Sequence, residues 1–325
     1  MSSPATDTRP VVWIGTAGTG TAYGLARSFR DHWGAGLVLI GSDINHPWLV
    51  ATSLLTDHFV VVPPVASPSF AATMCALLEA HRVDVYLPIL DEEIVWAAEA
   101  RETGLLPPTL AVVAPSVAHA RICFDKLATF DWLRSVALPT IDTQRLATAK
   151  WDGAPLFAKL RCGRGSLGAE PVDTAERLAT LQASGADLVI QPRCAPPEVT
   201  VDAIRWPGGL RAVARERLEV KAGVCTKARV FEDEGLAALA RAIGDGLDLR
   251  GAFCFQVMRQ TPDGPFVVTD INPRPGAGTR LSVAAGVDIL AATLADRLGL
   301  PVAPFLPQLP HERFVARQYT EHVLR

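Results

Sequence analysis

The densest chemistry in the sequence is the run Asp270-Ile271-Asn272-Pro273-Arg274, at the end of an apolar stretch. In an extended strand, side chains alternate between faces, so Asp270 and Asn272 share a face and present two oxygen donors together. The apolar runs 253–258 and 266–271 flank Thr261-Pro262-Asp263-Gly264, which is good hairpin-turn chemistry. Such a hairpin sets Gln256 opposite Asp270 to within about one residue of register, adding a third oxygen. Hard oxygen donors of this kind suit Mg²⁺ that bridges nucleotide phosphates. Arg274, with Gly276, Gly278 and Thr279 beyond it, supplies a cation and open backbone where a transferred phosphoryl group would lie.

Two glycine-rich turns add to this. Lys159 ends a strand-like run at 155–160, and Gly163, Gly165, Ser166 and Gly168 follow it. Free amides of such a loop can wrap phosphate oxygens while the lysine neutralises them. No Gly-Lys-Ser/Thr follows, so this is not a P-loop, and a hairpin loop made mobile by glycine is the plainer alternative. Near the start, a strand leads into Gly18-x-Gly20, with Asp43 at the end of the next strand, close to a dinucleotide-binding fingerprint. The third glycine falls late, at Gly24, so a tight turn or a small-substrate pocket is preferred to NAD.

These residues need a scaffold that alternates strands and helices. Apolar runs at 11–15, 37–40, 58–62, 83–87 and 110–114 alternate with helical spacing at 25–29, 69–81 and 91–100, which predicts a parallel α/β sheet. Asp91, Glu92 and Glu93 suit a helix amino terminus, a capping role that accounts for Asp91 without any function. Later the pattern shifts to longer strands, hairpins and glycine loops, with helices near 174–184 and 287–298. The expected division is a disordered tail at 1–10, a Rossmann-like domain at 11–118, a second domain at 119–310 and a tail at 311–325. Within the second domain, 119–190 forms a nucleotide lobe and 191–310 a metal and substrate lobe. The fold class is α/β, turning to α+β in the second half.

Composition bounds the function. The 325 residues are 49% hydrophobic and 20% charged, enough apolar side chain for about two cores. Thirty-one Lys+Arg against 34 Asp+Glu give a net charge of -3, so no global field recruits nucleic acid or an anionic membrane. Six scattered cysteines without C-x-x-C, a polar start and no bilayer-length apolar run predict a cytoplasmic protein. Lysine occurs only at Lys126, Lys150, Lys159, Lys221 and Lys227, with Arg the default cation. The seven histidines show no metal spacing.

Taken in order, these residues resemble the ATP-grasp enzymes, in the branch similar to the large subunit of carbamoyl phosphate synthase, over nearly the whole chain. The resemblance implies a Rossmann-like preceding domain and an ATP-grasp fold using ATP and Mg²⁺. By the same resemblance, Phe124-Asp125-Lys126 matches a motif whose lysine meets the nucleotide phosphates, and Lys159 is the second phosphate lysine. Gly163, Gly165, Ser166 and Gly168 match the flap. Gln191, with Pro192 and Arg193, matches the hinge beside adenine, and Glu198 the acid near the ribose. Gln256, Asp270 and Asn272 match the metal ligands, and Arg274 the phosphoryl centre. The sequence departs from the family pattern at Gln191 and Asp270, where Glu is commoner, and at Pro196-Pro197, where a glycine is usual. The charge run of Arg215, Glu216, Arg217, Glu219, Lys221, Lys227 and Arg229 reads as a solvated face, but the resemblance puts acceptor contacts there, with Arg217 and Lys221 lining the site. Gly18, Thr19, Asp91, Glu92 and Arg280 are the remaining substrate candidates.

The implied reaction is ATP-dependent carboxylate–amine ligation through an acyl phosphate, with small, amino-acid-like substrates. No glutaminase or biotin-carrier segment accompanies it, and the sequence is compatible with a homodimer. The alternatives are an NAD(P)-dependent oxidoreductase built on Gly18, Gly20 and Asp43, and a non-catalytic ATP-binding regulatory subunit. A ligand that binds only the native state raises its melting temperature. Mg·ATP is therefore expected to raise the melting temperature of this protein and NAD(P)(H) to leave it unchanged; the reverse pattern in a thermal-shift titration selects the oxidoreductase.

Overall fold

The computed structural model of the chain describes residues 8–163 and 168–324. They divide into two compact units, one of residues 1–117, 288–307 and 319–325, the other of residues 118–287 and 308–318.

The first unit runs β1 (Val11–Ile14), α1 (Gly20–Trp33), β2 (Val38–Asp43), β3 (His58–Val61), α2 (Phe70–Ala80), β4 (Val85–Leu87), α3 (Asp91–Glu102) and β5 (Ala111–Val112). Its sheet has the order β3-β2-β1-β4-β5 with every pair parallel. Val12, Trp13 and Ile14 of β1 are all 0% exposed, as a central parallel strand covered on both faces requires. The strand order reverses between β1 and β4, so the crevice beyond their carboxyl ends is the topological switch point. There the Thr19 hydroxyl caps α1 by accepting from Ala22 N.

The second unit holds two antiparallel sheets. Helices α4 (Val117–Phe124) and α5 (Lys126–Ser135) lead into β6 (Gln144–Arg145), β7 (Leu156–Leu160), β8 (Glu170–Val172), α6 (Ala175–Ala183) and β9 (Leu188–Pro192). These strands form a sheet of order β6-β9-β7-β8, with Leu156, Ala158, Leu178, Leu181 and Ile190 in its core. The long strands β10 (Ala195–Trp206), β11 (Gly209–Lys221) and β12 (Val224–Phe231) follow, then α7 (Glu234–Gly246), β13 (Gly251–Arg259), β14 (Phe266–Asn272) and α8 (Thr279–Ala284). With β15 (Arg313–Ala316) they build a sheet of order β14-β13-β10-β11-β12-β15. Period-two alternation gives this sheet one apolar face, where Val199, Val201, Phe253, Phe255 and Ile271 pack with Leu236, Leu239 and Ile243 of α7. The intervening positions, among them Thr200, Asp202, Arg215, Gln256, Asp270 and Asn272, put polar side chains on the other face.

The boundary expected at residue 310 moves. Helix α9 (Ile289–Arg297) belongs to the first unit instead of closing the second. Asp288 caps it, accepting from Ala291 N at 2.9 Å, and also takes two hydrogen bonds from Ser28 Oγ on α1 at 2.9 and 2.7 Å. Residues 311–325 are not simply a tail, because β15 pairs with β12. The tail expected at 1–10 lies largely outside the described residues, and its end is tied down by Val38 N donating to Pro10 O. Among the described residues no helix is long and apolar enough to cross a membrane, and no disulfide forms.

Phe255 is fully buried in the core beneath the site-bearing sheet. Truncating a buried Phe to Ala costs about 3–5 kcal/mol. Phe255→Ala is expected to lower the urea midpoint of the second unit by a corresponding amount; an unchanged midpoint rejects this packing.

Candidate active site

Strand register assembles the oxygen donors. Gln256 pairs directly with Asp270 and Cys254 with Asn272 across β13 and β14, so the hairpin closes as its turn chemistry requires. Asn272 Nδ2 donates to Asp270 Oδ2 at 3.2 Å, which leaves the other carboxylate oxygen and the Asn272 carbonyl to face outward ligands. Among the described residues no cluster of three or more His, Cys, Asp or Glu could hold a metal ion. A divalent cation here would rest on one carboxylate, two amide oxygens and the phosphates of its nucleotide, a donor set that fits Mg²⁺.

Two lysines reach this strand end from separate elements. Lys126 is the first residue of α5, and its Nζ lies 3.9 Å from Asp270 Oδ1 while donating to Gly163 O at 2.8 Å. Lys159 Nζ, from β7, donates to Thr269 O at 2.9 Å. Asp125 and Arg161 hold the two elements in place. Asp125 caps α5 by accepting from Leu127 N, receives Arg161 Nε at 2.9 Å, and Lys126 N donates to Arg161 O. Burial raises the Asp125 carboxyl, but the hydrogen bonds from Arg161, Leu127 N and Ala128 N and the Arg161 charge together outweigh it, and the net shift is downward. Arg161 was not among the expected site residues, although it stands next to the glycine loop in sequence. Gly165 and Ser166 of that loop lie outside the described residues; Gly163 and Gly168 flank it.

The hinge differs from expectation in its side chains. Gln191 is buried, and its Nε2 donates to Thr143 Oγ1 at 2.9 Å, tying β9 to the segment before β6. Arg193 N donates to Pro155 O, and its side chain pairs with Asp173 at the surface. Half-buried Cys194 sits beside this segment, its thiol pushed up by burial while the nearby Lys159 charge opposes the rise.

Arg217 pairs with Glu198, donates Nη2 to Gly223 O at 3.0 Å, and its Nε is buried without a hydrogen-bond partner among the described residues. It is anchored to Glu198 and the β11–β12 turn and holds Glu198 in place. Lys221 is 66% exposed at the end of β11 and answered by Glu219 at 3.5 Å. Glu219 itself is drawn down to about 2 by hydrogen bonds from Thr226 and Lys227. Arg280 lies in the first turn of α8, and Arg274 leaves β14 with Nη1 donating to Pro275 O at 3.3 Å.

Gly18, Thr19, Asp91 and Glu92 all lie in the first unit, in the segments that follow β1 and β4. Asp43 is committed there. Its Oδ2 accepts from Gly18 N at 2.7 Å and its Oδ1 from Asn45 N at 2.9 Å, and a Cβ on residue 18 would lie 2.9 Å from that carboxylate. The acid that a dinucleotide site would offer to a ribose instead braces the glycine turn. Glu93, overlooked within the Asp-Glu-Glu run, is 2% exposed and accepts from Thr16 Oγ1, Tyr86 OH and Ile89 N. Burial pushes its carboxyl up.

Residues 184–319 match the family described as ATP-grasp in the biosynthetic pathway with Ter operon. No curated protein matches the sequence. Several solved structures share the fold. Staphylococcus aureus N5-carboxyaminoimidazole synthetase complexed with ADP aligns at TM-score 0.72 and 15% identity, covering 92% of this chain and 79% of that one. The L-amino acid ligase of Bacillus licheniformis aligns at 0.71 and 16%, covering 91% and 76%. Rhizobium etli pyruvate carboxylase aligns at 0.71 and 16% over 94% of this chain, which spans only 31% of that larger protein.

Lys159 is half-buried, and desolvation pushes its ammonium down to about 8, with attraction to Asp270 opposing the fall and Lys126 adding to it. Its charge is present below about pH 8 and lost as pH rises through that value. The folded state thus binds fewer protons than the unfolded state between about 8 and the ordinary lysine value of 10.5, and Lys159's own contribution makes stability increase with pH across that window. Phosphate affinity runs the other way. The Kd for Mg·ATP is expected to weaken progressively above pH 8, and Lys159→Arg, which stays charged, to flatten that dependence; parallel profiles for the two proteins would remove Lys159 from the phosphate contacts.

Proposed function

As a member of the ATP-grasp superfamily, this chain, we propose, is an ATP-dependent carboxylate–amine ligase acting through an acyl phosphate. The observation that carries the reading is the convergence of Lys126 and Lys159 on the end of β14, where Asp270 and Asn272 lie and Arg274 follows. Three cations and one carboxylate at a strand end make a site for a polyanion with a bound divalent cation, not for a neutral substrate.

In this reaction a carboxylate oxygen of the substrate attacks the γ-phosphorus and the bond to the ADP oxygen breaks. Lys126 and Lys159 neutralise the phosphate oxygens, and Arg274 meets the charge that spreads over the transferring group. Gln256, Asp270 and Asn272 would hold Mg²⁺, which supplies further neutralisation of the phosphates when bound. An amine then attacks the acyl carbon, phosphate leaves with the bonding pair, and the nitrogen loses a proton. Glu198, fixed by Arg217, is the acid for the ribose hydroxyls. The substrates are small, amino-acid-like molecules, a reading supported by likeness in fold to an L-amino acid ligase. The protein works in the cytoplasm.

The test is ADP release from Mg·ATP with pooled carboxylates and amines, with mass spectrometry for a product equal to acid plus amine less water. Removing one such electrostatic group typically costs about 2.7–4 kcal/mol, so Arg274→Ala should lower kcat by about two orders of magnitude or more. Near-normal turnover of that variant removes Arg274 from the phosphoryl centre, and ATP binding with no turnover against any acid favours a regulatory subunit.

A further inference from the structure

Arg215 of β11 lies in the cross-strand row Asp270, Gln256, Thr200, Arg215, each residue paired in register with the next. It is 2% exposed, and a buried guanidinium is tolerated only where its charge and its donors are met. The charge is met by Asp202, itself 0% exposed, whose Oδ2 accepts from Arg215 Nε at 2.9 Å. Burial works against the cation, but attraction to Asp202 prevails and holds its pKa above the ordinary value, so the group is a permanent charge.

The donors are not met. A guanidinium carries five N–H groups, and among the described residues only the one on Nε has a hydrogen-bond partner. Asp202 does not need the others. Its Oδ1 accepts from Thr279 Oγ1 at 2.8 Å and its Oδ2 from Ser282 Oγ at 2.6 Å. The loop after Arg274 closes against the guanidinium plane, because a Cβ on Gly278 would lie 2.4 Å from Nη1 and 2.7 Å from Nη2. A side chain there would displace the guanidinium. The loop that carries Arg274 therefore rests on a second, buried arginine whose four Nη hydrogens have no acceptor among the described residues.

A planar fork of paired N–H groups matches the two oxygens of a carboxylate. Lys126 and Lys159 already serve the nucleotide side of this strand end. We propose that Nη1 and Nη2 of Arg215 seat the carboxylate of the acid substrate. This deepens the ligase reading and rests on it, with Arg215 holding the nucleophile while Arg274 meets the phosphoryl group.

The test uses the ¹⁵N-labelled full chain with acetate as probe and chloride as ionic control. The Arg215 Nε and Nη signals, identified by their loss in Arg215→Lys, are expected to shift saturably with acetate and to ignore chloride. Arg215→Lys keeps a charge beside Asp202 but loses the fork. A hydrogen bond to a charged group is worth about 1.5–3 kcal/mol, so the acetate midpoint read at the Gly278 amide should rise about tenfold or more. Arg215 signals that stay fixed in acetate overturn the proposal, as does a response to Mg·ATP alone, which would make the donors phosphate ligands. An unchanged midpoint in a folded Arg215→Lys overturns it too, and where that variant melts far below wild type the wild-type titration decides. Failure of the ligase reading shows separately, as absence of ADP release, which involves neither acetate nor this variant.

Discussion

A carboxylate with no exposed surface must have its charge answered inside the protein, and the active lobe is arranged around how Asp202 meets that requirement. Its partners come from β11, as Arg215, and from the start of α8, as Thr279 and Ser282. Thr279 in turn accepts from Gly276 N, so the segment between β14 and α8 is fixed at both ends, by the sheet and by the helix. That segment begins with Arg274. Replacing any one partner strands a buried polar group, which makes these residues interdependent and not a set of separate contacts.

The lysines meet the opposite problem. Cations near one another with little solvent are costly, and Lys126 and Lys159 are tolerable because Asp270 lies beside them and main-chain carbonyls accept from both. The arrangement lacks the negative charge that would fully satisfy it, as is expected of a site built to receive phosphate. Asp125 and Arg161 keep the two lysines in mutual position, pairing at the point where α5 begins and β7 ends. Arg161, through Asp125, sets where the charges stand.

Much of this was readable in the residues. The alternation of Asp270, Ile271 and Asn272 and the turn at 261–264 put Asp270 and Asn272 on one face opposite Gln256, because strand periodicity and turn chemistry are local properties. The parallel sheet of the first unit followed from its alternating runs for the same reason. Long-range pairings were not readable. Nothing local says that Arg217 spends itself on Glu198 nineteen positions away, or that Asp43 braces Gly18. Arg215 was hidden in a run of charges that reads as a solvated face, although it alternates with Ala214 and Glu216 and its neighbours belong to a strand with one buried side. Residues 288–307 were assigned to the other unit because a capped helix that is apolar nearly all round carries no mark of the surface on which it docks.

That last feature bears on how the protein is made. The Rossmann-like sheet leaves the ribosome first, but α9, which packs on α1 through Asp288 and Ser28, is encoded near the other end of the chain. The part of α1 that α9 covers therefore stays open until the second unit has been synthesised, so the domain begun before the second is completed after it. Domains usually mature in the order of their synthesis. Here the two are interlocked by connectivity, and the amino-terminal portion cut at residue 118 would be a partly built domain with an exposed apolar seam, in need of its missing helix or of a chaperone.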